Sequence, residues 1–442
     1  MSEEDLAARS LRAVWHPCTQ MKRHEREPLL AIARAEGPWL HAPDGRRYLD
    51  AISSWWVNLF GHGHPALKTA IAAQLDTLDH VMLAGLTHEP VVRLSERLGA
   101  LTGLGHAFYA SDGASATEIA LKMSAHAWRN AGRAGKCEFV GLVGGYHGET
   151  VGALSVTDIA IFREAYAPLV RLSAALPTPD TRYAEPDEDA VACAERAAAA
   201  LERYLQAHHE RTAALILEPL LQCAAGFGLH DAHYLRRARA LCDRYEVHLI
   251  CDEIAVGFGR TGSLFAHQQA GIRPDFICLS KGLTGGTLPL SAVLTTEAVY
   301  AAFWDDSAAR GFLHSHSYTG NPLACSAALA VLDLFEQGLD GQPVLERNRV
   351  TAAKLDALCE PLREHPRVKA CRQIGMVWAY DIADAPPGFS SAYHLAAREQ
   401  GLLLRPIGET LYFMPPYVLD EAAMRHLATG AIKALEVALG SP

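Results

Sequence analysis

The chain reads as an α/β protein with a mostly parallel sheet covered by helices on both faces, followed by a smaller α/β domain. Three observations predict this. From about residue 66 onward, helical and strand patterns alternate, which is how parallel strands joined by helical crossovers look in a sequence. Two short apolar runs, Val247–Cys251 and Phe276–Leu279, lead into residues that carry chemistry, Asp252 and Lys281, and sites form where the carboxyl ends of such strands meet. After about 335 a long helical pattern gives way to short strands and a last helix.

The elements follow in order. Residues 1–65 are irregular, punctuated by Trp15-His16-Pro17 and Gly37-Pro38-Trp39. Ser53–Asn58 reads as a strand whose adjacent Trp55 and Trp56 point to opposite faces, one packing and one lining a cavity, or both packing. Pro65–Leu78 and Pro90–Leu101 are predicted helices, and Ala107–Ala110 a short strand. A helix follows Ser111–Ser115, with Ser115 and Glu118 fitting a capping box. Strands are expected at Glu138–Val143, Ala213–Leu217 and Ser291–Leu294, with helices at Ala190–His208 and His233–Tyr245. Beyond 335 the expected elements are a helix at Pro343–Leu362, strands at Cys371–Tyr380, Leu402–Leu404 and Leu411–Met414, and a helix at Asp420–Leu439. The domain boundaries are drawn at 1–65, 66–335 and 336–442.

Composition narrows the function. Half of the 442 residues are apolar and a fifth are charged, with a net charge of −10, which suits a soluble globular chain and opposes nucleic acid or anionic membrane as partner. The first residues lack the basic-then-apolar pattern of a signal peptide, and Gly311–Leu332, though free of charge, carries His314, His316, Asn321 and Pro322 and is no membrane span. Ten cysteines without a Cys-x-x-Cys spacing read as reduced, buried residues of a cytoplasmic protein. The 21 histidines form no cluster at ligand spacing, so no metal is expected.

A lysine amine and a carboxylate at neighbouring strand ends are what pyridoxal phosphate chemistry needs: the amine holds the cofactor's aldehyde, and the carboxylate keeps the ring nitrogen protonated. Ser111-Asp-Gly-Ala-Ser115, opening a helix, offers amide groups to a phosphate. Gly144-Gly-Tyr-His-Gly148 fixes Tyr146 where its ring could stack on a flat cofactor or anchor a loop.

Asp252-Glu-Ile-Ala-Val-Gly-Phe-Gly-Arg260 followed by Leu279-Ser-Lys-Gly-Leu-Thr-Gly-Gly286 resembles the signature of class III aminotransferases of pyridoxal phosphate fold type I. Within that class, Trp15–Met21, Ser53–Trp56, Gly145–Thr150, Gly320–Cys325, Arg405-Pro406 and Met414–Tyr417 are similar to the diaminononanoate synthases of biotin biosynthesis. The resemblance covers nearly the whole chain. It implies a large domain with a seven-stranded sheet and a small domain built from both chain ends, the first 65 residues also reaching the substrate pocket. Lys281 is then the residue that holds the cofactor and moves the proton, with Asp252 on the ring nitrogen, Ile254 beneath the ring and Tyr146 over it. Gly113, Ala114 and Ser115 are expected at the phosphate, joined by Ser317 from the neighbouring subunit of a homodimer. Trp55, Trp56, His316 and Arg405 are expected to contact substrate, Arg405 through its carboxylate. The implied substrates are 8-amino-7-oxononanoate and, as donor, S-adenosylmethionine.

Three departures bear on the substrates. No carboxylate follows Gln222, which weighs against a glutamate-using enzyme, while Cys18 and Ser315-His316-Ser317 stand where some synthases have tyrosine and Gly-Pro-Thr, leaving lysine open as donor. Rival readings are another class III transaminase acting on ω-amino acids or diamines, a non-catalytic regulator, and an isomerase on the same cofactor.

Overall fold

The structure, a computed structural model, describes residues 3–440. The chain divides into two compact units, one of Ala66–Leu345 and the other of Met1–Pro65 with Glu346–Pro442.

The larger unit is built on a seven-stranded sheet, its strands numbered here within the sheet: β1 (His106–Ala110), β2 (Glu138–Leu142), β3 (Ala174–Leu176), β4 (Thr212–Leu217), β5 (His248–Asp252), β6 (Phe276–Leu279) and β7 (Ser291–Thr295). Their order is β1-β7-β6-β5-β4-β2-β3, and β7 alone runs antiparallel to its neighbours. β4 and β6 are buried along their whole length, which is why they read as unbroken apolar runs. β3 escapes the sequence pattern: three residues at the sheet edge, paired only to β2, are too few to show a period. The helix α1 (Gly113–Asn130) lays Ala116, Ile119, Ala120, Met123 and Ala127 against Ile216, Ile250, Phe276 and Val293 of the central strands. That 3–4 spacing is the apolar stripe expected of a helix covering a sheet.

Because β1, β2, β4, β5 and β6 are parallel, their carboxyl ends share one edge of the sheet. Ser111–Ser115, Gly144–Gly148, Glu218, Asp252 and Ser280-Lys281 all follow or finish those five strands. The topology therefore collects every residue type with chemistry on one rim.

In the smaller unit, Arg34–Glu36, Trp39–His41 and Arg47–Asp50 form an antiparallel sheet that Leu402–Leu403 joins in parallel, setting Leu403 opposite Asp50. A second sheet pairs Val368–Ile374, Val377–Ile382 and Thr410–Phe413, while helices Phe389–Glu399 and Glu421–Ala438 pack on each other and on Leu402–Leu403. Several expectations are corrected here. The 371–380 strand is a hairpin turning at Gly375, which adopts φ +53. The 343–362 helix is two, Val344–Leu358 and Glu360–Arg363, broken before Pro361, whose ring cannot extend a preceding helix. The irregular start holds a helix at Glu3–Ala13 and three strands too short to show a period. No disulfide joins any of the ten cysteines, but Cys18, Cys137 and Cys371 are exposed rather than buried.

Candidate active site

Lys281 follows β6 and opens a single 3-10 turn, Lys281–Thr284. Its φ is +45, a left-handed conformation that a side-chain-bearing residue adopts at a cost of about 1–2 kcal/mol. The turn is fastened on either side: Ser280 Oγ donates to the Leu290 carbonyl at 2.8 Å and Thr284 Oγ1 to the Leu288 carbonyl at 2.6 Å. Backbone strain held this way is concentrated at functional sites. Burial holds the Lys281 amine below the usual lysine range, against the opposing charges of Cys223, Asp252 and Glu218. The same burial favours the neutral amine, the form able to attack a carbonyl or take a proton.

Asp252 ends β5 and is 3% exposed. Its Oδ2 lies 2.7 Å from His147 Nδ1, and its Oδ1 accepts the Ile254 amide at 3.0 Å. His147 Nε2 is buried without a hydrogen-bond partner. The proton of the pair therefore belongs on Nδ1, which donates to Asp252 and fixes its carboxylate plane. Glu253, next in sequence, serves the fold instead: it is wholly buried and accepts the amides of Ala266 and His267 and the His267 ring.

Glu218, after β4, accepts the Tyr146 amide on one oxygen and the Cys223 amide on the other, both at 3.1 Å. Burial, reinforced by Asp252, pushes its carboxyl up to about 7 against the pull of His147 and the two amides. It fixes the backbone of Tyr146, whose half-buried ring meets Phe162 edge-on at 5.5 Å and whose hydroxyl donates to Glu149 at 2.8 Å.

At the start of α1 the predicted capping box is replaced. Asp112 is the N-cap, taking the amide of Ser115 at 2.9 Å and its hydroxyl at 2.8 Å. Glu118 turns instead to the Gly152 amide. The helix thus begins three residues earlier than read, and the amides of Gly113 and Ala114 head its first turn, without helical acceptors. A Cβ on Gly113 would stand 3.0 Å from Ile254 Cδ1, so Ile254 packs directly against this helix start. Ser317 is exposed on the loop before Thr319, and neighbouring His316 contacts His314 at 2.9 Å.

The structure thus brings Lys281, Asp252, Tyr146, Ile254, Gly113, Ala114 and Ser115 to one edge of the larger unit. Trp55, Trp56 and Arg405 belong to the smaller one. There the expected strand is a left-handed turn: Ser53, Ser54, Trp55 and Trp56 have φ of 51, 46, 73 and 73. Four such residues cost several kcal/mol at about 1–2 kcal/mol each, so other contacts must impose the turn. Trp56 is buried, its Nε1 donating to the Tyr412 hydroxyl at 3.2 Å. Trp55 is exposed, with the Arg405 guanidinium carbon 5.2 Å from its ring centre and an Arg405 N–H donated to the Cys18 carbonyl at 2.9 Å.

Sequence reasoning missed His147, Glu149 and Glu218 as site residues. A signal was present for the first two in the glycine-bounded Tyr146-His147-Gly148-Glu149 run. The site suits pyridoxal phosphate by its chemistry: a crowded amine, a carboxylate held by a histidine, and a helix start with unengaged amides.

Known proteins agree. The class-III aminotransferase family model matches residues 20–435. The chain is 42% identical to the adenosylmethionine-8-amino-7-oxononanoate aminotransferase of Helicobacter pylori, with 98% of each chain covered, and 39% identical to that of Aquifex aeolicus, with 96% of each covered. Its structure is similar to the crystal structure of the aminotransferase of that name from Methanocaldococcus jannaschii, with a TM-score of 0.91, 32% identity and 98% and 99% coverage. It is also similar to an omega transaminase of Pseudomonas jessenii in complex with PMP, with a TM-score of 0.92, 26% identity and 99% coverage of both chains. A chain matched along almost its whole length, with lysine and aspartate at the ends of adjacent strands, belongs to the class III aminotransferases and is a pyridoxal phosphate-dependent transaminase.

Proposed function

We propose that this transaminase converts 8-amino-7-oxononanoate to 7,8-diaminononanoate, the step of biotin biosynthesis for which its relatives are named, with S-adenosylmethionine as amino donor. The observation that carries the substrate is Arg405 over Trp55: an aromatic wall ending in a guanidinium suits an apolar stem ending in a carboxylate.

The bound cofactor supplies an aldehyde that takes up an amino group and a ring that accepts electrons from the adjacent carbon. The residues do the rest. Gly113 and Ala114 hold the phosphate through their amides at the positive end of α1, with Ser115 beside them. Ser317 serves a phosphate across the interface of a homodimer. Ile254 supports one face of the ring and Tyr146 covers the other, the latter held by Glu218 through its amide. Asp252 keeps a proton on the ring nitrogen, and His147 Nδ1 holds the carboxylate in place to do so. Lys281 Nζ would hold the cofactor's aldehyde and, once freed by substrate, would carry a proton between the substrate carbon and the neighbouring cofactor carbon. The work is that of an enzyme on small molecules, as the names of its relatives suggest. No described helix is long and apolar enough to cross a membrane.

The test needs no knowledge of the donor. Adding 7,8-diaminononanoate to the purified yellow protein should replace the visible band of the resting cofactor by that of its aminated form and release the amino-ketone. An unmoved band means that the substrate is another amine. The likeness to an omega transaminase supports that second reading, and ω-amines are the compounds to try next.

A further inference from the structure

We infer that Asp50 is a positioning residue for substrate recognition: its carboxylate locks Ser53–Trp56 in the left-handed turn that sets Trp55 beneath Arg405. The inference rests on the proposed role of Arg405 toward the substrate carboxylate.

Asp50 ends a strand and is fully buried. Its Oδ1 accepts the Ser54 amide at 2.8 Å, and its Oδ2 accepts the Ser54 hydroxyl at 2.7 Å and faces His62 Nε2 at 2.9 Å. A carboxylate has lone pairs for all three donors at once. Two of the three come from Ser54, the second residue of the turn, and the third from His62 beyond it. The first residue of the turn is tied by its own Oγ, with Ser53 donating to the Met414 carbonyl at 2.7 Å. None of the four residues is glycine, so nothing in their own backbone preference selects this conformation.

The same residue is paired in backbone register to the strand Leu402–Leu403 that leads into the arginine. Asp50 is in register with Leu403, two residues before Arg405. One buried side chain therefore fixes the tryptophan turn from a position paired to the segment that presents the guanidinium. Without it the turn is free to relax to right-handed or extended backbone, which swings Trp55 away from Arg405 while Trp56 stays anchored on Tyr412.

The experiment compares kcat and KM for 8-amino-7-oxononanoate and for its methyl ester in the holoenzyme, Asp50→Ala, Asp50→Asn and Arg405→Ala. Arg405→Ala should bring the acid-over-ester preference in kcat/KM close to one. Asp50→Ala should lower that preference at least tenfold, mainly through KM for the acid, with kcat within threefold. Asp50→Asn, whose amide can still accept from the Ser54 amide and pair with its hydroxyl, should recover most of the loss, which general loosening of the fold does not predict. An Asp50→Ala enzyme that keeps the preference within twofold while Arg405→Ala loses it overturns the role of Asp50. If Arg405→Ala also keeps it, the carboxylate reading fails, and the positioning role with it. Should Asp50→Ala not fold, Ser54→Ala, which removes one donor at an exposed position, must lower the preference at least threefold; no change there overturns the proposal.

Discussion

Replacing Gly148 by alanine tests whether the start of α1 is the phosphate site. Gly148 has φ +123, outside the regions that residues with a Cβ readily adopt. A Cβ there would lie 2.5 Å from Ala114 Cβ, 2.8 Å from Ala114 Cα and 3.1 Å from Ala153 Cβ. Carbon atoms pack at about 3.5–4.0 Å, so Ala114 must move by roughly 1 Å. The backbone conformation costs about 1–3 kcal/mol and the crowding about 1–3 kcal/mol, together about 2–6 kcal/mol of stability. The same shift withdraws the Ala114 amide from a phosphate, and losing one hydrogen bond to a charged group costs about 1.5–3 kcal/mol, or roughly ten- to a hundredfold in affinity. Thermal unfolding measures the first effect, and absorbance titration of cofactor-free protein with pyridoxal phosphate the second. Cofactor affinity within twofold of the parent in a variant whose melting temperature has fallen removes Ala114 from the phosphate site. An unchanged melting temperature as well refutes the packing argument itself.

Two further outcomes follow. Asp252→Asn should still bind the cofactor but lose about two to three orders of magnitude in turnover, since the charge that stabilises the reacting state is gone; near-normal steady-state rates in that variant sink the assignment. Glu218, pushed up to about 7, binds a proton in the folded chain that the unfolded chain has already released above its ordinary value of 4.5. Its contribution to stability is therefore present below pH 4.5 and lost as pH rises to 7, by about 3 kcal/mol in all. In urea unfolding of the cofactor-free protein between pH 5 and 8, Glu218→Gln should flatten that decline, and identical slopes in both proteins count against the buried, protonated carboxyl.

What the sequence determined by itself is local. Apolar runs closed by Asp252 and by Ser280-Lys281 announced two strands and their chemistry, because a buried parallel strand must be apolar throughout and its end must be marked by polar or turn residues. The alternation of such runs with helical stretches implied the parallel sheet, and with it a shared edge for Gly113, Tyr146, Asp252 and Lys281. Tertiary structure decided what depends on partners far along the chain. His147 meets Asp252 across 105 residues, and Glu218 holds the Tyr146 amide across 72; neither pairing leaves a period in the sequence. Asp112 took the helix cap from Ser115 because its carboxylate could satisfy the serine's amide and hydroxyl together. The tryptophan pair shows the limit most clearly. Its residues favour a strand, and the left-handed turn exists because Asp50, His62 and Met414 offset a backbone cost that no local preference would accept.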